Sequence, residues 1–337
     1  MSKRERPKIV DVARRAGVSP ATVSRVLTQP ALVSSQTRVR VSEAVSALGY
    51  LRDGAARALA SRTSGAVGIV VPTIDNAIFS RAIQAMQSRL SDAGVRLLVA
   101  SHEYNTAAEV AAVRALLEHG VDAIALVGIE HADEVWSLID NAPLPLLLTW
   151  STTEGRDCIG FDNRLAGRLA AEHLLALGHR SFGMISGVLQ HNDRAKARLA
   201  GVRDALSARG LDLPDWRVSE QPFGFGGGRA GLAALLSLDA PPTAVIGGND
   251  LLAVGALFEA QARGIDVPGR LSIMGFDNLE LSAHVAPGLT TIHLPTAELG
   301  RLAAERLLAQ LQAREMPRAV ELSIELVVRH STGAAQS

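Results

Sequence analysis

Residues 9–27 read Ile-Val-Asp-Val-Ala-Arg-Arg-Ala-Gly-Val-Ser-Pro-Ala-Thr-Val-Ser-Arg-Val-Leu. The pattern predicts two short helices, residues 9–16 and 20–27, on either side of a tight turn. Gly17 permits the positive φ that such a turn requires. The Ser-Pro pair at 19–20 is typical of a helix start, because the serine oxygen caps a free N–H and proline has none to satisfy. The stretch therefore predicts a helix-turn-helix, the compact motif of two helices at a sharp angle.

A third helix is predicted to follow, from about residue 34 to Gly49. Val41, Val45 and Leu48 share one apolar face at helical spacing, and glycine is common just past a helix end. Residues 53–61, Asp-Gly-Ala-Ala-Arg-Ala-Leu-Ala-Ser, form a short alanine-rich stretch that Asp53 can cap. A helix of that length is marginal in isolation.

The first 62 residues carry a strong positive charge. They hold twelve Lys and Arg and four acidic residues, a net charge of +8, whereas the whole chain has a net charge of zero. A basic head on an acidic body predicts that the head contacts a polyanion. The alternative is a basic segment that is merely solvated.

The second helix of the motif presents short side chains and one long cation. Small residues let a helix lie deep in the major groove, and Arg25 can pair bidentately with a guanine edge. Thr22 and Ser24 are suited to donate to phosphates. The alternative is an ordinary helical hairpin with a surface arginine. The residues predicted to contact DNA here are Ser19, Pro20, Ala21, Thr22, Ser24 and Arg25.

From Ala66 onward, strand-length apolar runs alternate with helix-length segments. This alternation predicts parallel sheets covered on both faces, and seven or more such units favour two Rossmann-like subdomains over one open sheet. The predicted strands are Val67–Val71, Arg96–Ala100, Ala123–Val127, Leu144–Thr149, Phe182–Ile185, Ala244–Ile246 and Leu271–Met274. The predicted helices are Ile78–Ala93, Thr106–Glu118, Arg164–Leu177, Ala195–Arg209, Gly227–Leu236, Leu251–Arg263 and Thr296–Leu311.

Composition excludes several classes of protein. With 47% hydrophobic and 20% charged residues, the chain is globular rather than disordered. Apolar runs such as Ala66–Val71 are far shorter than the roughly 20 residues that span a bilayer, and the polar N-terminus has no apolar signal region. Cys158 is the single cysteine, so no intrachain disulfide and no cysteine-based zinc site is possible. We expect a cytoplasmic protein with no membrane partner.

No motif for catalysis, metal or cofactor binding is found. The glycine-rich stretch 224–228 is not followed by the Gly-Lys-Ser/Thr of a phosphate loop. The histidines lack metal-ligand spacing, and no serine occupies a Gly-x-Ser-x-Gly elbow. Cys158 is interpreted as a small buried hydrophobe. We therefore predict that the chain is not an enzyme and needs no cofactor.

Residues 9–27 closely resemble the DNA-binding motif of the lactose-repressor/galactose-repressor (LacI/GalR) family. The resemblance continues over nearly the whole chain. It runs through Val33-Ser34, Leu48-Gly49-Tyr50, Gly68–Pro72, Gly160–Asn163, Leu177–Arg180, Arg198–Gly201, Asn249-Asp250, Gly275–Asp277 and Leu289–Ile292. It implies a homodimer that reads a pseudo-palindromic operator in double-stranded DNA, and a hinge helix at 53–61 whose Leu59 wedges into the minor groove.

For the body, the resemblance implies a periplasmic-binding-protein-like core with a small molecule between two lobes. Three domains are expected. They are a DNA-binding domain at 1–61, a first effector-binding subdomain at 66–160 with 292–317, and a second effector-binding subdomain at 161–291 with 318–331. Candidate effector contacts are polar or aromatic residues that follow predicted strands. Phe79, Trp150 and Phe223 resemble aromatic walls, and Arg198, Asn249 and Asp277 resemble polar contacts. Asp162, Asn192 and Arg194 complete the predicted effector-binding set.

These residues also have structural interpretations. Asp162 and Asn249 suit helix N-caps, Phe79 and Trp150 suit a hydrophobic core, and Arg198 suits a surface ion pair. The basic neighbours of Arg198 favour an anionic effector such as a sugar acid or sugar phosphate.

The main hypothesis is a DNA-binding transcriptional regulator, a repressor, whose operator affinity is controlled by a sugar or sugar acid. Three alternatives remain open. They are a regulator with a purine-type or other effector, a constitutive DNA binder whose body only dimerises, and a sugar-metabolising or nucleotide-using enzyme with a basic tail.

Overall fold

The computed structural model describes residues 7–51, 63–314, 317 and 319–336. The chain divides into two compact units, residues 1–64 and 65–337. The predicted hinge helix 53–61, with Leu59, lies outside the described residues. Within the described part of the chain, no helix is long and apolar enough to cross a membrane.

The first unit has the predicted three helices, α1 (Ile9–Ala16), α2 (Pro20–Thr28) and α3 (Ser35–Leu48), with a 3-10 turn at Pro30–Leu32. Gly17 ends α1 at a φ of 63°. The Ser19 side chain caps α2, where its Oγ accepts the Thr22 N–H at 3.1 Å. These two features confirm the predicted turn. The small core of the unit consists of Val12, Ala13, Ala16, Val23, Val26, Val41 and Ala44.

The second unit contains two six-stranded sheets. The strands are β1 (Ala66–Val71), β2 (Arg96–Ser101), β3 (Ala123–Val127), β4 (Leu146–Trp150), β5 (Cys158–Gly160), β6 (Phe182–Ser186), β7 (Val218–Glu220), β8 (Ala244–Gly247), β9 (Ser272–Asp277), β10 (Thr290–His293), β11 (Ala319–Glu321) and β12 (Glu325–Val327). The first sheet has the order β11-β5-β4-β3-β1-β2 and is parallel throughout. The second sheet has the order β12-β10-β9-β8-β6-β7, and only β12 is antiparallel to its neighbour.

Helices connect these strands. They are α4 (Ala77–Asp92), α5 (Thr106–Glu118), α6 (Asp133–Asp140), α7 (Asn163–Ala176), α8 (Asp193–Ser207), α9 (Phe225–Leu236), α10 (Asp250–Ala262), α11 (Glu280–His284) and α12 (Thr296–Leu311). A 3-10 turn lies at Asp215–Arg217. The fold class predicted from sequence is confirmed: a helix-turn-helix head is followed along the chain by two Rossmann-like subdomains. Helix α6 and the short strands β7, β11 and β12 had no clear periodic signal.

Strand pairing defines two lobes, one around each sheet, and the chain passes between them three times. The crossings lie at 161–162, 294–295 and 322–324, between elements of different sheets. Two of the expected domain bounds were therefore wrong. Strand β10 pairs wholly with the second sheet, so the break at 291/292 would cut it. Strand β11 pairs with β5 in the first sheet, although residues 318–331 were assigned to the second lobe.

The buried parallel strands explain where a site forms. Strands β1, β3, β6, β8 and β9 are buried along their whole length, because helices cover both faces of each sheet. Ligands of such sheets bind beyond the carboxyl ends of the strands. We therefore expect a binding site to be built from the residues that follow these strands.

Candidate functional site: an exposed helix in the head and a buried cavity in the body

Helix α2 exposes one face of the head unit. Ser19, Pro20, Ala21 and Arg25 are exposed, and Thr22 and Ser24 are half-buried, whereas Val23 and Val26 pack into the core. The six predicted DNA contacts thus lie on the solvent side of α2. The Ser19 and Thr22 hydroxyls are 2.9 Å apart, so capping occupies part of their hydrogen-bonding capacity.

The surface of this unit is basic. Residues 7–51 carry six basic and two acidic side chains, and all six basic ones are exposed. One of the acids, Asp11, lies 3.5 Å from the guanidinium of Arg14. An exposed, small-residue helix on a positively charged unit is the arrangement that a major groove admits.

In the body, a small inner cavity lies between the two lobes. Its open volume is about 30 Å³. It is lined by Asn76, Ile78, Phe79, Tyr104, Trp150, Gly187, Asn192, Arg194, Ala195, Arg198, Phe223, Gly248, Asn249 and Asp277. An outer chamber of about 530 Å³ adjoins it and shares Asn76, Tyr104 and Phe223 with it.

Eight of the nine predicted effector residues line the inner cavity. Asp162 does not: its Oδ1 accepts the Leu165 N–H at 2.8 Å and caps α7. Its neighbour Asn163 is the buried residue that reaches the cavity wall, where its Nδ2 donates to the Trp150 carbonyl at 2.9 Å. Asn249 combines both interpretations, because its Oδ1 caps α10 while its side chain also lines the cavity.

The aromatic wall of the cavity comes from the first lobe. The rings of Phe79 and Trp150 lie 5.1 Å apart at 51°. Trp150 is held at a φ of 67°, and Asp277 on the opposite lobe at 106°. Positive φ is costly for residues other than glycine and is concentrated at binding sites. Both residues end a strand, so this backbone geometry turns their side chains into the cavity.

The two cavity arginines differ in charge balance. Arg194 donates through Nη1 to Asp193 at 2.8 Å and to the Val127 carbonyl at 3.3 Å, so a carboxylate already neutralises it. Arg198 donates to Asn163 Oδ1 at 3.1 Å and to the Gly248 carbonyl at 2.8 Å. Its guanidinium lies 3.7 Å from Asp277, beyond a good hydrogen bond.

Several buried polar atoms at this cavity lack partners. Among the described residues, Trp150 Nε1, Asn249 Nδ2 and both carboxyl oxygens of Asp277 make no hydrogen bond. Burial raises the pKa of Asp277 to about 8, although the charge of Arg198 opposes the shift. At neutral pH, Asp277 therefore holds its proton and offers one donor as well as acceptors.

This shift makes stability depend on pH. The folded state keeps the Asp277 proton up to a pH of about 8, whereas the unfolded carboxyl has an ordinary value of 3.8. The folded state binds more protons between these values, so the free energy of unfolding should fall as pH rises. We expect Asp277→Asn, which is neutral at every pH, to flatten this fall between about pH 4 and about pH 8 in urea titrations. An unchanged slope in the variant would show that Asp277 is ionised when folded.

Two polar or aromatic residues of the cavity lining, Tyr104 and Asn76, were not predicted from the sequence. Tyr104 follows β2 in a loop with φ values of 50° and 59° at Glu103 and Tyr104. Asn76 caps α4. The position of Tyr104 after a strand and of Asn76 before a helix was the signal available, but a cap and a ligand contact share such positions. Asn163 supports the site from behind the lining, because it orients Arg198.

A helix-turn-helix unit followed by a two-lobed body with a buried polar cavity defines the class of ligand-responsive transcriptional regulators. A model of bacterial regulatory proteins of the lacI family matches residues 8–53, and a model of the periplasmic binding protein-like domain matches residues 171–332. The HTH-type transcriptional regulator GntR of Pseudomonas aeruginosa is 34% identical over 97% of this chain and 96% of its own length. The chain therefore belongs to the lacI family of bacterial regulatory proteins.

Two further relatives support this membership. The ribose operon repressor of Haemophilus influenzae is 34% identical over 95% of this chain and 97% of its own length. Among solved structures, the chain is similar to the lac repressor dimer bound to operator and the anti-inducer ONPF, with 28% sequence identity and a TM-score of 0.87. That likeness covers 98% of this chain and the whole of that one.

Proposed function

We propose that the chain is a homodimeric repressor that binds operator DNA through α2 and releases or tightens it when a sugar acid enters the inner cavity. In this proposal it acts in the cytoplasm and catalyses no reaction on its effector. In the head, the predicted contacts from Ser19 to Arg25 bind operator DNA. In the body, the eight predicted residues that line the inner cavity bind the effector.

The class of ligand is inferred from the polar atoms of Trp150, Asn249 and Asp277 that have no hydrogen-bond partner. A buried polar atom without a partner costs about 1–3 kcal/mol, and a ligand that supplies the missing hydrogen bonds recovers that cost. Two donors and a protonated carboxyl facing one cavity match the alternating donors and acceptors of a polyhydroxylated molecule. The aromatic wall suits the C–H face of a sugar.

Charge favours a sugar acid over a neutral sugar. Asp193 neutralises Arg194, and Asp277 is protonated near neutral pH, so Arg198 contributes a net positive charge to the cavity. Burial lowers the pKa of Arg198, which shows that its charge is poorly solvated there. A ligand carboxylate would compensate this charge and form a charge-assisted hydrogen bond.

The head supports operator binding through its exposed α2 and its basic surface. A relative's structure, the lac repressor dimer, was solved on operator DNA, and another relative is named a ribose operon repressor. These names support repression, dimerisation and a sugar-like effector for this chain.

A thermal-shift panel on the full chain tests the proposed effector. The panel contains neutral sugars, the corresponding sugar acids and purine bases. Ligand that binds the native state raises stability by RT ln(1 + [L]/Kd), so a sugar acid should raise the melting temperature most. A shift with a purine alone would replace the proposed ligand class. The absence of a shift with the whole panel would favour a constitutive DNA binder.

Dimerisation has a structural candidate in the second lobe. Phe225 and Phe258 are 39% and 40% exposed, and their rings lie 5.7 Å apart on the adjacent helices α9 and α10. We expect Phe258→Asp to weaken the dimer by about 2 kcal/mol or more, because a carboxylate would be buried in the interface. Sedimentation equilibrium measures the change. Trp216→Asp, which removes an exposed aromatic from another part of the second lobe, should leave the dimer intact. Equal effects from both variants would refute this interface.

A further inference from the structure

Tyr104 and Phe223 meet across the cleft from opposite lobes. Tyr104 follows β2 of the first sheet, and Phe223 follows β7 of the second. Their rings are stacked, with centroids 5.5 Å apart and planes at 26°. The Tyr104 ring also contacts the His102 ring edge-on, with centroids 6.1 Å apart.

The stacked pair borders two spaces. Both rings line the inner cavity of about 30 Å³ and also the outer chamber of about 530 Å³. An open volume of this size holds about two water molecules. A sugar acid is several times larger, so side chains around the cavity must move before such a ligand can enter.

The backbone next to both rings has positive φ values. Glu103 and Tyr104 have φ values of 50° and 59°, and Gly224 beside Phe223 has a φ of 133°. On the other side, the Phe223 ring lies directly on Gly187, where an added Cβ would be 2.0 Å from Phe223 Cζ. The ring therefore needs the glycine surface in order to reach Tyr104.

Tyr104 also faces the charged part of the site. Burial raises the pKa of the Tyr104 phenol, while the charge of Arg194 and a hydrogen bond from it act in the opposite direction. The tyrosine thus has its ring against the opposite lobe and its hydroxyl toward a cavity arginine.

We propose that Tyr104 and Phe223 form an aromatic gate that controls entry to the inner cavity, with Tyr104 as a residue that determines access. The role of the gate in effector entry rests on the proposed function. Whether the two rings block passage from the outer chamber to the inner cavity does not depend on which effector binds. A test without any effector therefore separates the two proposals.

Trp150 reports on the gate, because its ring lies in the inner cavity and is 1% exposed. In the full-length protein, Trp136→Phe and Trp216→Phe leave Trp150 as the single tryptophan. Acrylamide, a small neutral quencher, is then the probe. In this background, Tyr104→Ala is expected to raise the Stern–Volmer constant of Trp150 several-fold.

Two further variants test the opposite lobe. Phe223→Ala removes the second ring. Gly187→Ala adds a Cβ that would overlap the Phe223 ring and displace it. Each variant should therefore raise quenching as Tyr104→Ala does. Tyr104→Phe keeps the stack and should retain the low quenching of the parent. Leu251→Ala, at a residue that lines only the outer chamber, is the matched control and should also retain it.

Near-ultraviolet circular dichroism and melting temperature establish that each variant is folded. If Tyr104→Ala does not fold, Phe223→Ala and Gly187→Ala carry the test. Unchanged quenching in the folded variants from both lobes would overturn the gate. Quenching that rises equally in Leu251→Ala would also overturn it, because the effect would then come from general loosening of the cleft.

Discussion

An Arg198→Ala variant is expected to bind the effector about 30-fold to several thousandfold more weakly, equivalent to about 2–5 kcal/mol. Arg198 is held by Asn163 and Gly248, and its guanidinium lies 4.9 Å from the centre of the Phe276 ring. These contacts fix the cation in one orientation before ligand arrives, so little ordering cost remains on binding. Isothermal titration calorimetry with the stabilising member of the ligand panel measures the loss.

Two variants on the same helix test whether the loss comes from this guanidinium. Arg198→Lys keeps the charge but cannot reproduce the contacts of the planar fork, so an intermediate affinity is expected. Lys196→Ala is the matched control, because Lys196 is exposed and its Nζ lies 2.6 Å from Glu130. It should bind ligand as the wild type does. If Arg198→Ala retained wild-type affinity, the assignment of Arg198 to the effector site would be wrong.

Arg25→Ala is expected to lower operator affinity by about 1–3 kcal/mol per head, roughly 5- to 150-fold, and to relax base preference at one position of each half-site. The long exposed cation on α2 is suited to guanine O6 and N7 in the major groove. Operators selected from a random duplex library provide the substrate. Fluorescence anisotropy on the selected sequence and its single-base variants measures affinity and preference together.

The matched control is Arg14→Ala. Arg14 lies on α1 beside Asp11 and is exposed. It should reduce binding evenly across sequences, if at all, and lessen the salt dependence. If Arg25→Ala gave that uniform pattern instead of a relaxed preference, Arg25 would contact phosphate and another residue would read the base.

Sequence alone predicted the cavity well because topology limits where polar residues meet. Trp150, Asn249 and Asp277 each end or follow a strand, and the carboxyl ends of parallel strands converge at one edge. The same rule selected Asp162, which the structure shows to be a helix cap. An Asp before a helix satisfies both patterns, and only the direction of its side chain distinguishes them.

Other features depend on long-range packing and left no local signal. Tyr104 lines the cavity because two residues with positive φ turn the loop after β2 inward, which no periodicity reports. The protonation of Asp277 follows from burial in the assembled cleft. Strand β11 joins the first sheet after the chain has left the second, and three residues are too few for an alternating pattern.

If a ligand in the body controls operator affinity, operator titrations of the full-length protein will depend on that ligand. Fluorescence anisotropy measures operator binding with and without the ligand that stabilises the protein, for the wild type and for Arg198→Ala. We expect the ligand to change the operator affinity of the wild type by about 5- to 150-fold, the usual range of allosteric coupling. Arg198→Ala should bind operator as the wild type does without ligand and show no response. Superimposable wild-type curves with and without a bound, stabilising ligand would show that the body does not control operator binding.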